Sequence, residues 1–301
     1  MNKNLAYVYI MIATFFWGII GVFVTYLYEI GFTPTQVVSV RALSASLFLI
    51  VYVLYKNRSL LIIKLTDAKY FVGTGIVSIV FFNLCLFHAI QETSISIAAI
   101  LLYTAPAFVT LFSKLFFKEA LTTRKMIALF VTLLGCTLVI GIFPHTTEGI
   151  SLYGLILGLG SGLFYALYSV FGKMALRKLD SLTITVYTFV FAAIAITPFS
   201  EVWKVFPLLL NGEVWLYIGG LGFFSTTLAF IFYTKGLQML ESSRASIMAT
   251  LEPVIAAFMS FLLFGETLTF WQYGGVVLVI TAVILVQEPP RKGRKSSSLS
   301  A

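Results

Sequence analysis

Of 301 residues, 59% are hydrophobic and only 11% are charged, whereas a soluble domain carries about 25% charged residues to wet its surface. That balance excludes an ordinary cytosolic enzyme, a disordered protein and, despite a formal charge of +8, a nucleic-acid binder. Lipid is the solvent for most of this chain.

A hydrocarbon core about 30 Å thick takes roughly 20 apolar residues per helix. Charges and turn residues divide the sequence into ten such spans, expected at 5–28, 34–55, 70–90, 94–117, 124–143, 151–172, 181–200, 214–235, 243–264 and 270–287. The runs are too long for barrel strands and do not alternate polar with apolar. The gaps leave no room for an inserted soluble domain. Met1-Asn2-Lys3-Asn4 leads into a first span longer than a signal-peptide core and without an Ala-x-Ala exit, so it reads as a helix and not a cleaved leader. With the N-terminus inside, only Lys204 of the 20 Lys and Arg falls outside, and Arg41 lies within the second span. The positive-inside rule then places both termini in the cytoplasm of a multi-pass protein of the cytoplasmic membrane. The stretch 289–301, with Arg291, Lys292, Arg294 and Lys295 before a run of serines, is expected to be a disordered basic tail drawn to anionic lipid heads.

In chain order, span 1 carries Phe16-Trp17-Gly18, with Trp17 near mid-span and away from the interfacial belts that Trp and Tyr usually occupy. Span 2 carries Arg41, about 10 Å past Pro34 along a helix. Its stem could snorkel outward, or its guanidinium could form an ion pair or hold a substrate carboxylate. Asn83 and His88 in span 3 do not share one helical face, and His88 reads as interfacial. Span 4 has Tyr103 at mid-span and a helix-breaking Pro106, and Glu119 in the turn beyond it reads as structural. Cys85 and Cys136 read as packing residues. In span 6, Gly154, Gly158 and Gly162 form a close-packing stripe beside Tyr165. Gly158-x-Gly160 follows no strand and so is no nucleotide loop. Ser225-Thr226-Thr227 in span 8 could bond back to their own helix. Span 9 holds Thr250, Glu252 and a second helix-breaking Pro253. Glu266 reads as structural, and Thr269-x-x-Gln272 as a capping box opening span 10.

Shifting the chain by 147 residues overlays 87–139 on 234–286 without a gap. Gln91 meets Gln238, Ser96 meets Ser243, Pro106 meets Pro253, Glu119 meets Glu266, and Leu121-Thr122 meets Leu268-Thr269. At an offset of 148, Phe16-Trp17 meets Phe164-Tyr165. Two five-helix halves, expected at 1–147 and 148–288, must lie in the membrane with opposite orientations because five is odd. Inverted repeats are a recurring plan of secondary transporters, with the substrate site between the halves near the midplane. The fold class is therefore all-α, polytopic, with ten transmembrane helices.

Several of these residues carry a resemblance. Phe16-Trp17-Gly18, Arg41-Ala42, Ala105-Pro106 with Glu119-x-Leu121, and Glu252-Pro253 with Gly265-Glu266-x-Leu268 are similar to the drug/metabolite transporter superfamily, EamA type, over about residues 5–287. Lys118, where the second repeat has Gly265, departs from the pattern. The resemblance implies export, less often import, of amino acids or other small metabolites, and a cavity built mainly from helices 1, 3, 4, 6, 8 and 9.

An ionisable group in mid-membrane costs about 2.5–3.5 kcal/mol on insertion scales and marks a functional position by default. Glu252 lies near mid-bilayer on a stripe with Ala245, Ala249, Ala256 and Ser260; a small-residue face packs on other helices, so it should face the bundle. It reads as a proton-coupling or amine-binding group, or else as a packing carboxylate tied into a hydrogen bond. Its repeat mate is Ala105, so the scaffold is symmetric and the charge is not. Trp17 and Tyr165 could line a cavity and stack on a substrate, or simply pack. Tyr103, Thr250 and Asn83 complete the candidates.

The resulting expectation is a secondary transporter exporting amino acids or related metabolites by alternating access, driven by protons. Its partners are a small-molecule substrate, protons and the bilayer, with no nucleic acid, no cofactor and no metal. A carrier of phosphorylated metabolites or nucleotide sugars would want more cations near the site than Arg41. A lipid-modifying enzyme would need a nucleophile or metal cluster that two isolated His and two isolated Cys do not provide. The chain therefore reads as no enzyme. Composition suits a monomer or a dimer equally.

Overall fold

A computed structural model describes residues 3–141 and 151–287. The basic tail and the expected junction at 147/148 lie outside the described residues. The rest forms ten helical spans: α1 (Lys3–Ile30), α2 (Pro34–Lys56), α3 (Leu65–Glu92), α4 (Ile95–Phe117), α5 (Thr123–Val139), α6 (Leu152–Ala175), α7 (Ser181–Phe199), α8 (Gly212–Met239), α9 (Ser242–Phe264) and α10 (Phe270–Val286). Helix α5 ends at Val139 and not at 143, because the chain turns at Gly141 with a φ of 81°, a conformation that glycine adopts without steric cost. The expected capping box opens α10: the Thr269 hydroxyl accepts from the Gln272 amide while the Gln272 side chain accepts from the Thr269 amide.

Prolines divide α4 and α9. A proline ring collides with the carbonyl four residues back and offers no N–H. The first half of α4 accordingly ends at Leu102, four before Pro106, and that of α9 at Ala249, four before Pro253. The mates α3 and α8 share a second irregularity, wide π-helical turns over Val72–Val80 and Phe223–Leu228.

The helices pack as the repeat requires. Helix α1 lies on α8 as α6 lies on α3, and α9 on α1 as α4 on α6. Helices α2 and α7, α4 and α9, and α5 and α10 meet their own mates across the pseudo-two-fold. At the α5–α10 crossing a Cβ on Gly135 would sit 3.0 Å from the Val279 nitrogen, and one on Gly275 would sit 2.6 Å from the Val139 nitrogen. Backbone thus meets backbone, the small-residue route to helix association in lipid. The Gly154–Gly158–Gly162 stripe acts likewise, seating α6 against Thr93, Leu101 and Thr104. Large apolar side chains such as Leu47, Val51, Phe130, Ile194 and Val277 point outward, as lipid requires.

Candidate substrate cavity

The break in α9 sets the position of its carboxylate. Glu252 is the first residue of the second half-helix, beside amides that have no intrahelical partner and at the positive end of the half-helix dipole. Tyr103 closes the first half of α4 at the mated break, and its phenol, like that of Tyr165 from α6, lies near enough to the Glu252 carboxylate to feel its charge. Helix α1 fixes the backbone there: a Cβ on Gly18 would lie 2.5 Å from Ile255 Cβ and 3.1 Å from the Glu252 carbonyl oxygen.

Arg41 approaches from α2. Its Nε donates to Thr226 Oγ1 at 2.9 Å, and Thr226 donates its own proton to the Leu221 carbonyl at 2.8 Å. That bond spans five residues of the wide turn in α8, so the turn presents the hydroxyl as a fixed acceptor. The guanidinium carbon also lies 6.0 Å from the Phe230 ring centroid, within cation–π range. Arg41 and Glu252 line one cavity and feel each other's charge across it.

The cavity holds about 170 Å³, small beside the roughly 300–1,000 Å³ of clefts for drug-sized ligands. Its walls are Trp17, Ile20, Val24 and Tyr28 of α1, Val37 and Val38 of α2, Phe82, Asn83, Leu86 and Phe87 of α3, Leu102, Tyr165 and Phe230, with the two charges at the inner end. It opens toward the end of the bundle that carries the α1–α2 turn. Beneath it an aromatic floor closes the path. Trp17 packs against Tyr233 at 4.9 Å and Phe230 at 5.1 Å between ring centroids. Tyr168 bonds Thr234 at 2.7 Å and Ser169 bonds Tyr233 at 2.6 Å. The void below is about 10 Å³, no more than a single water requires.

Trp17, Arg41, Asn83, Tyr165 and Glu252 therefore come together, and Tyr103 lies near the same carboxylate. The Asn83 amide is spent on the Ile79 carbonyl at 2.7 Å. Thr250 is buried away from the cavity, bonded to the Ile247 carbonyl at 2.6 Å. His88 is exposed, with Nδ1 2.8 Å from the Leu84 carbonyl oxygen. Helix α2, absent from the expected cavity set, supplies a wall. From spacing alone Thr226 suits a bond to its own helix, which it makes with the Leu221 carbonyl, and its second role toward Arg41 carries no local signal; nor does Phe230, among 29 Phe. Among the described residues no group of three or more His, Cys, Asp and Glu could hold a metal ion.

The chain matches the EamA-like transporter family twice, over residues 4–141 and 152–287. It belongs to that family. It is a multi-pass membrane transporter of two repeats and not an enzyme. An uncharacterized transporter of Archaeoglobus fulgidus is 33% identical over 199 residues, 65% of this chain and 68% of the relative. A second from that organism is 28% identical over 90% of this chain and 94% of its own length. The uncharacterized inner membrane transporter YicL of Salmonella typhimurium is 23% identical over 96% and 97%. A solved crystal structure superimposes with a TM-score of 0.81 over 94% of this chain and 96% of its own, at 15% identity, a likeness of fold alone.

Proposed function

We propose that this transporter is a secondary exporter of amino acids or related small metabolites, working by alternating access and coupled to protons at Glu252. One observation carries the reading: a guanidinium and a carboxylate face one small, apolar-walled cavity in mid-bundle. An amino acid presents the complementary pair. Its carboxylate meets Arg41, its ammonium meets Glu252, and its side chain lies on Trp17, Phe82, Phe87 and Phe230. A phosphorylated substrate fits less well, since Glu252 offsets the cavity's one cation. With its termini in the cytoplasm, as the basic residues indicate, the protein sits in the cytoplasmic membrane with its cavity open to the outside. The two repeats divide near residues 147 and 148.

Proteoliposome flux of a labelled amino-acid panel, with and without a pH gradient, tests this against Glu252→Gln. The wild type accumulates a substrate in response to the gradient, whereas the variant exchanges that substrate without concentrating it. A variant that still responds to the gradient overturns the coupling role, and a wild type that moves nothing on the panel overturns the substrate class.

A further inference from the structure

Opposite the cavity mouth, the bundle end that carries the α4–α5 turn is held shut by a contact between the two repeats. Glu119, in that turn, accepts from the backbone amides of Ser242 and Ser243 at 2.7 and 3.2 Å and from Ser243 Oγ at 2.5 Å. These are the first two residues of α9, and its N-cap residue, Glu241, makes no capping bond of its own. Lys125 stands between the carboxylates, 3.0 Å from Glu241 and 3.9 Å from Glu119, and Lys173 Nζ donates to the carbonyls of Leu237 and Leu240. Three helix ends are thereby drawn together beneath the aromatic floor.

The repeat supplies a second copy of these parts at the other end. Glu266 is the mate of Glu119, and Ile95 and Ser96 are the mates of Ser242 and Ser243. There the parts are apart. Glu266 is exposed and takes only the Ser260 hydroxyl. Helix α4 is capped by its own Ser94, which reaches no further than the Ile97 amide, and Ile95 is 73% exposed. At the end with the engaged carboxylate a surface hollow of about 700 Å³, lined by Glu119, Lys173 and Glu241, stops below the aromatic floor, whereas at the end with the disengaged one the cavity runs in to Arg41 and Glu252.

We propose that Glu119 and Glu266 are alternating latches. In the opposite state Glu119 releases the N-terminus of α9, and Glu266 caps the amides of Ile95 and Ser96 with the Ser96 hydroxyl, closing the present cavity mouth. The proposal rests on the alternating-access reading but on no particular substrate. Each state satisfies one pair of orphan helix amides with a carboxylate, a favourable charge–dipole contact, and exposes the other.

Cysteine reporters at the mouth and in the floor test it in purified protein that lacks the native thiols through Cys85→Ala and Cys136→Ala. Val24→Cys reports the present mouth, and Ser169→Cys the floor itself, which opens only when the path from the opposite end does, each by its rate of modification with a water-soluble maleimide. Glu119→Ala is expected to raise labelling at the Ser169→Cys site about tenfold and to lower it at Val24→Cys. Glu266→Ala is expected to do the reverse, and it removes a side chain that is exposed here, so it remains testable if Glu119→Ala does not fold. Labelling within twofold of the parent at both sites in Glu266→Ala, or a change of the same sign in both, overturns the latch. Because labelling needs no substrate, amino-acid flux that fails while the reciprocal labelling holds refutes the substrate reading alone.

Discussion

Gly18→Ala should damage fold and site together, and the size of the effect follows from one crossing. The added Cβ would sit 2.5 Å from both Cβ and Cγ2 of Ile255 and 3.1 Å from the Glu252 carbonyl oxygen. Carbon atoms pack at about 3.5–4.0 Å, so α1 and α9 must separate by about 1 Å. Ile255 cannot turn aside, because its Cβ is fixed to the backbone. Overpacking of this kind costs about 1–3 kcal/mol, and the strain falls where α9 carries Glu252 toward Arg41. Gly21→Ala is the control: the same substitution three residues on, with nothing within 4 Å of the new methyl and only the helix preference of alanine, about 0.8–1 kcal/mol, in play. Thermal unfolding of both variants in detergent should show Gly18→Ala melting several degrees below wild type and Gly21→Ala at or above it. Equal melting temperatures for the two variants would refute close packing of α1 on α9.

Three further outcomes follow from local geometry. Thr226→Val removes the acceptor of Arg41 Nε; a hydrogen bond to a charged group contributes about 1.5–3 kcal/mol to stability, so the melting temperature should fall by several degrees, and a binding titration should show weaker substrate affinity because the guanidinium loses its fixed orientation. Lys118 has a φ of 56° where its mate Gly265 has 69°, and a left-handed non-glycine residue costs roughly 1–2 kcal/mol; Lys118→Gly should therefore raise the melting temperature slightly, offset by the greater freedom of glycine in the unfolded chain. Burial alone would raise the Glu241 carboxyl, but hydrogen bonds and charge from Arg244 and Lys125 hold it below the usual carboxylate range. Its contribution is therefore complete above the unfolded carboxylate pKa of about 4.3 and is lost as pH falls through the lower folded value. Melting curves from pH 6 down to pH 3 should fall less steeply for Glu241→Gln than for wild type.

The ten helices were legible because their ends carry the signals. Lys204 and Arg41 apart, Lys and Arg collect at one side of the spans, and Pro106 and Pro253 recur with Glu119 and Glu266 at fixed spacing. The wide turns in α3 and α8 were not legible, since Gly, Ser and Thr within an apolar run suit an ordinary helix equally well. Thr226 accordingly lacked its role: only the wide turn aims its hydroxyl at Arg41. Phe230 was one phenylalanine among many until α8 was laid against α1. The bonds from Glu119 to Ser242 and Ser243 cross more than a hundred residues, and no local spacing announces a helix cap supplied by the other repeat.

What the sequence did expose was the asymmetry of Glu252 against Ala105, and the structure extends it. The mate of Arg41 is Thr188, and where Arg41 ties α2 to α8 through Thr226, Thr188 ties α7 to α3 through Thr74 at 2.6 Å. Each repeat therefore ties this pair of helices by one polar bond, but the partner stands at a different position in each, since Thr226 is the mate of Ile79 and Thr74 of Leu221, and only one bond carries charge. Tyr103 likewise stands opposite Thr250, which bonds to its own helix. A scaffold that exchanges two equivalent arrangements needs near-equal packing in both, which repeated sequence provides. A site that binds one orientation of a polar solute needs charges placed once. The division between paired scaffold residues and unpaired cavity residues separates the groups that set the conformational balance from those that set what is bound.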